Sequence, residues 1–152
     1  MIFQTRFLLA SKLTDERDKY SGIKAFQEAI ANAKGQLPAE IRTDSLNSYN
    51  QVVKTTMPNV KHAAKCGIRK QHANNNRIER LNGTLRERVK VQRGWKTKTS
   101  VLAEGQRIQY NFVKPHMALE GKTPANVAGL TIKGWKELLE LGIKNGKGGI
   151  LP

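Results

Sequence analysis

The sequence predicts an α/β domain built from layers of strand and helix. Its first half reads strand, helix, strand, helix, the order that layered α/β folds produce. Its second half holds long segments whose apolar residues recur at helical spacing. With 152 residues, 38% of them hydrophobic, the chain is long enough to bury one ordinary core.

Each element follows from local chemistry. Phe3 to Leu13 contains the apolar run FLLA between polar residues, the pattern of a short buried strand. Thr14 to Asp18 supplies capping side chains, and Ile23, Phe26, Ile30 and Ala33 then share a helical face until Gly35 and Pro38. Glu40 to Asp44 reads as a brief strand. Ser45 to Met57 reads as a helix closed by Pro58, and Asn59 to Ala64 as a short edge strand. A long helix is expected from Asn74 to Arg93. Another runs from Ser100 to Lys114, with Val101, Ile108 and Phe112 in one stripe and Pro115 ending it. Thr123 before Pro124 caps a short helix in KTPANVAGL. Trp135 to Leu141 is amphipathic, and GIKNGKGGILP after it has the composition of a disordered tail. Residues 1–130 are therefore expected to form the domain, and 131–152 a C-terminal helix and flexible basic tail.

Charge narrows the partners. The formal net charge is +15, and ten of those charges fall between Lys61 and Thr99, where twelve Lys and Arg meet only Glu79 and Glu87. Such a local surface predicts attraction to a polyanion. No apolar run approaches the ~20 residues that span a bilayer, so nucleic acid is the expected partner and no membrane. The single cysteine, Cys66, excludes an internal disulfide and fits a cytoplasmic, nucleoid-associated setting. His62, His72 and His116 make no zinc-site spacing with it.

Glu79 is the odd residue on the basic helix, because a bare carboxylate repels the phosphates that Arg77, Arg80, Arg86, Lys90 and Arg93 attract. At ~100° per residue, Ile78, Leu81, Leu85 and Val89 cluster on one side, and Glu79 falls on the adjoining polar stripe with Asn75, Asn82, Arg86 and Lys90. Two readings are open. Glu79 pairs with neighbouring arginines, worth ~0.5 kcal/mol or less, or it holds a metal at a groove. Asp44, between a predicted strand and helix, is likewise either an N-cap or a ligand. Asn75 and Asn76 read as caps or as DNA contacts, and Trp95 of RGW as packing or base stacking.

Taken together, RTDSLNSY, NNNRIERLNGTLRERVKVQRGWK and YNFVKPHMALEGKTPANVAGL resemble the catalytic core of DDE transposases, the prokaryotic insertion-sequence enzymes related to retroviral integrases. The likeness runs from TRFLLASKLTDERD to about Leu130. It implies an RNase H-like mixed sheet flanked by helices. It further implies that Asp44 and Glu79 are the second and third carboxylates holding Mg²⁺ (or Mn²⁺) for phosphodiester cleavage and strand transfer on transposon ends and target DNA. His116 resembles a family position ahead of the closing TPA motif.

The family's first Asp precedes the segment that TRFLLASK matches, whereas the first acid here is Asp15. The expectation is thus an N-terminally truncated core, lacking the first strand and most of the second, with weak cation binding and little activity alone. Asp15, Glu16 and Asp18 are expected only to cap a helix. The competing reading is a non-catalytic DNA-binding module or inhibitor, acting through homo-oligomers or hetero-oligomers with an intact transposase. A small RNA-associated protein fits the charge, but aromatic content of 6% offers no base-stacking platform.

Overall fold

Polar caps and glycine stops divide the chain as the sequence suggests. The computed structural model describes residues 1–12, 14, 18–44, 46–64, 76–91, 94, 101–132 and 134–146. They form a mixed α/β arrangement: α1 (Lys19–Asn32), β1 (Glu40–Arg42), α2 (Asn47–Thr56), β2 (Lys61–Ala63), α3 (Asn76–Val91), α4 (Val101–Ile108), α5 (Pro124–Val127) and α6 (Gly134–Gly146). The chain divides into two compact units, one of residues 9–103 and one of residues 1–8 with 104–152.

In the 9–103 unit, Asp18 caps α1 by accepting the Ser21 N–H at 2.8 Å. That bond and the Ser21 partnership hold its carboxyl below the usual range. Gly35, at φ +78°, ends the helix by donating its N–H to the Ile30 carbonyl at 2.9 Å, a conformation that suits glycine. β1 and β2 pair in parallel, Glu40 opposite Lys61 and Arg42 opposite Ala63. Glu40 binds both Arg42 and Lys61, at 2.6 and 3.3 Å, which ties the strands at one end and lowers its pKa. Val52, Val53 and Met57 of α2 and its end are buried.

α1 and α2 approach closely at one point. A Cβ on Gly22 would lie 2.8 Å from Cγ2 of Val52, whose side chain is 0% exposed. Valine is stiff about χ1 and cannot swing aside. Gly22→Ala should therefore cost about 1–3 kcal/mol of stability in urea denaturation, in spite of alanine's better helix propensity. Adding Val52→Ala should recover part of that loss, and strictly additive costs would contradict the contact.

Among the described residues the expected strand at the N-terminus is not formed. Residues 3–5 make a turn, residues 6–12 carry no ladder, and Arg6 sits at φ +60°. The apolar run is buried only at Leu8, whose N–H and C=O are met by the Asn111 side chain at 2.8 and 2.9 Å. A side-chain amide thus replaces a strand neighbour. The predicted helix from Ser100 to Lys114 changes pitch after α4. Residues Gln109–Val113 form a π-helical turn, with the Lys114 N–H reaching the Gln109 carbonyl at 2.9 Å. The extra residue breaks the expected stripe, turns Asn111 fully inward, and sets Phe112 edge-on to Phe7 at 5.8 Å. Thr123 caps α5 as its place before Pro124 suggests, and Asn126 adds the reciprocal bond of a capping box. α6 runs on to Gly146, through the first residues read as a tail.

Candidate nucleic-acid and acid site

Asp44 stands two residues beyond β1. The strand register continues past Arg42, because Thr43 donates its N–H to the Ala63 carbonyl at 3.2 Å. Thr43 is buried, and its Oγ1 donates to the Asp44 carbonyl at 3.0 Å. The His62 Nε2 lies 2.8 Å from the same oxygen and is hydrogen-bonded to it. Backbone and side chain together fix the chain at Asp44. Its own Oδ1 accepts the Leu46 N–H at 3.2 Å, an Asx turn leading into α2. The N-cap of α2 is Leu46, so Asp44 opens the turn without capping the helix.

α3 presents the two faces that its sequence predicts. Leu81 is buried and Ile78, Leu85 and Val89 are half-buried, whereas Glu79, Arg80, Asn82, Arg86 and Lys90 are exposed and Arg77 is half-buried. Glu79 lies in the first turn, where the helix dipole favours a negative charge. Among the described residues it makes no ion pair. Glu87 is the acid that pairs on this helix, with Lys90 at 2.9 Å. Arg93, Asn74, Asn75, Cys66, His72 and Trp95 lie outside the described residues.

Arg86 and Lys90 also line a groove of about 670 Å³ within this unit. Ser11, Lys12 and Asn82 add polar lining, and Leu85 and Val89 apolar lining. Lys12 is held by Glu28 at 3.3 Å. The sequence pointed to Arg86 and Lys90 but not to Lys12, which no periodicity links to α3. The bond from His62 to Thr43 was missed as well, because strand register, not spacing along the chain, brings the two together.

Among the described residues no three His, Cys, Asp or Glu side chains come together as a metal site. None of the described helices is long and apolar enough to cross a membrane. Compared with protein families, the chain matches the model described as DDE domain, of the insertion-sequence transposases, over residues 3–113. Comparison with curated proteins gave no match, and comparison with solved structures gave none.

Proposed function

Because the chain belongs to the DDE-domain family of insertion-sequence transposases, we propose that it serves DNA transposition by holding DNA along the basic face of α3. The observation that carries this reading is the exposed row of Glu79, Asn82, Arg86 and Lys90 beside a packed apolar stripe. Packing of Leu81 steadies the helix, so its cations are presented and not merely tethered. Phosphate contacts of this kind supply most of the affinity and all of its salt dependence. Transposon ends and target DNA are the substrates in this reading.

Asp44 and Glu79 are proposed as two ligands of a three-carboxylate metal site in an RNase H-like fold, with β1 as the strand of the second carboxylate. Their oxygens suit Mg²⁺ or Mn²⁺ in kind. The resemblance matches only two of the family's three carboxylates to this sequence, Asp44 and Glu79. When bound, such a cation activates a water or hydroxyl and offsets charge at the phosphodiester. The chain's own contributions are simpler: arginines and lysines bind the phosphates, and Thr43 with His62 fixes the backbone at Asp44.

Two carboxylates should hold a cation weakly. Calorimetric titration with Mn²⁺ should therefore give a shallow isotherm that Asp44→Asn or Glu79→Gln flattens further, and nicking by this chain alone should be slight. Tight two-site binding, or strong nicking abolished by Asp44→Asn, would overturn the incomplete-site reading. The same shortfall supports a second reading, a non-catalytic DNA-binding module that inhibits an intact transposase by occupying its DNA or joining its oligomers.

A further inference from the structure

The unit of residues 1–8 and 104–152 carries a positive cluster of its own. His116 follows Pro115 and precedes the single 3₁₀ turn Met117–Leu119. Its ring lies edge-on to Tyr110, 4.7 Å between centroids, and a ring nitrogen bonds the Tyr110 backbone. The other nitrogen, Nε2, is buried and has no hydrogen-bond partner. A buried polar atom in that state asks for a ligand or an ion to explain it.

Lys114 stands two residues before His116, and Phe7, next to Arg6, packs edge-on to Phe112 of the π-helical turn at 5.8 Å. The charges of Lys114 and Arg6 act on the imidazole. Both are half-buried, and neither meets a carboxylate among the described residues. Other charged groups of the neighbourhood are Lys122 and Glu120 on the following turn, exposed and 3.9 Å from each other. Another is the α-amino group of Met1, whose Sδ accepts the Tyr110 hydroxyl at 3.8 Å and whose pKa burial lowers. Arg6 has a further peculiarity. Its backbone is held at φ +60° by the turn that bonds the Ile2 N–H to the Phe7 carbonyl at 2.8 Å. Left-handed backbone is strained for arginine, and such strain gathers at binding sites.

We propose that Arg6, Lys114 and His116 form a site for one phosphate group of a DNA strand, distinct from the face of α3. The source of the phosphate rests on the DNA-binding reading above; the site itself rests on the cluster. Guanidinium and ammonium donate charge-assisted hydrogen bonds to a phosphate oxygen. The buried Nε2 becomes a third donor once the imidazole is protonated. Burial first, then the charges of Lys114 and Arg6, hold the His116 pKa below its ordinary value, against the opposing Tyr110 bond. A bound phosphate offsets those charges and raises that pKa. Phosphate affinity must then increase as pH falls through the bound-state pKa, and level off below the free-state one.

The test follows the His116 ring protons by NMR in the 152-residue chain, titrated in inorganic phosphate and in chloride at equal ionic strength. Phosphate should raise the His116 pKa and chloride should not. Lys114→Gln and Arg6→Gly should each abolish the difference. The glycine removes the charge yet suits the left-handed backbone, so that variant should melt no lower than the parent. On a short DNA duplex each variant should lower the log–log salt slope by about 1. Identical titrations in both anions, with DNA slopes unchanged in the variants, would overturn the site and leave the α3 reading standing. If phosphate moves His116 but the chain binds no DNA, the site holds and the DNA-binding reading falls.

Discussion

Replacing Arg77, Arg86 and Lys90 together with glutamine should flatten the salt dependence of DNA binding by about 2.7 log units per log unit of salt, at ~0.9 for each phosphate no longer neutralised. Affinity at low salt should fall by orders of magnitude with it. Glutamine keeps much of the length and the helix propensity of the originals, and the buried side of α3 at Leu81 is untouched. Stability should accordingly change by no more than about 0.5 kcal/mol per site, as for other surface substitutions. The three positions are unequal. Lys90 is already offset by Glu87 at 2.9 Å, whereas Arg86 faces the groove without a carboxylate partner among the described residues. Arg86→Gln should thus be the largest single effect. Removing the offset in Glu87→Gln should tighten binding slightly. Anisotropy titrations across a salt series measure all of these, and an unchanged slope in the triple variant would show that α3 is not the footprint.

The parts of this protein that were legible in its sequence are those set by neighbours within a few residues. Asp18, Gly35, Pro58 and Thr123 mark helix ends because capping is local chemistry. The two faces of α3 were legible for the same reason, since a period of 3.6 needs no knowledge of the fold. The strands at Glu40–Arg42 and Lys61–Ala63 were also readable, but their register was not. Without register, His62 beside Thr43 could not be foreseen, nor the polar clamp behind Asp44.

The misread segment has the same physical origin. FLLA is apolar and short, which suits a strand only if another strand supplies its hydrogen bonds. Here Asn111 supplies those of Leu8, from 103 residues away. The π-helical turn that aims Asn111 inward leaves no mark in a hydrophobic pattern, because one extra residue shifts the stripe by an amount that periodicity treats as noise. The Arg6, Lys114 and His116 cluster depends on that same turn and on the docking of residues 1–8, so it too was illegible.

Asn111→Leu should therefore be among the most damaging single changes, costing about 3 kcal/mol or more. Leucine matches asparagine in branching and in heavy atoms, so a cavity is not the reason. The loss is two hydrogen bonds that leave the Leu8 N–H and C=O buried without Asn111. Arg107 gives partial relief on one side only, as its Nη1 lies 3.5 Å from the Leu8 carbonyl. The N–H has no such substitute, and a buried donor left unpaired carries the desolvation penalty in full. Hydrogen exchange at the Leu8 amide should accelerate in step with the shift in the urea midpoint. Because residues 1–8 carry Arg6, their release should also erase the phosphate effect on His116, while the salt dependence contributed by α3 persists. A Leu8 amide that stays protected in Asn111→Leu would mean that Leu8 is held by apolar burial, not by the amide clasp.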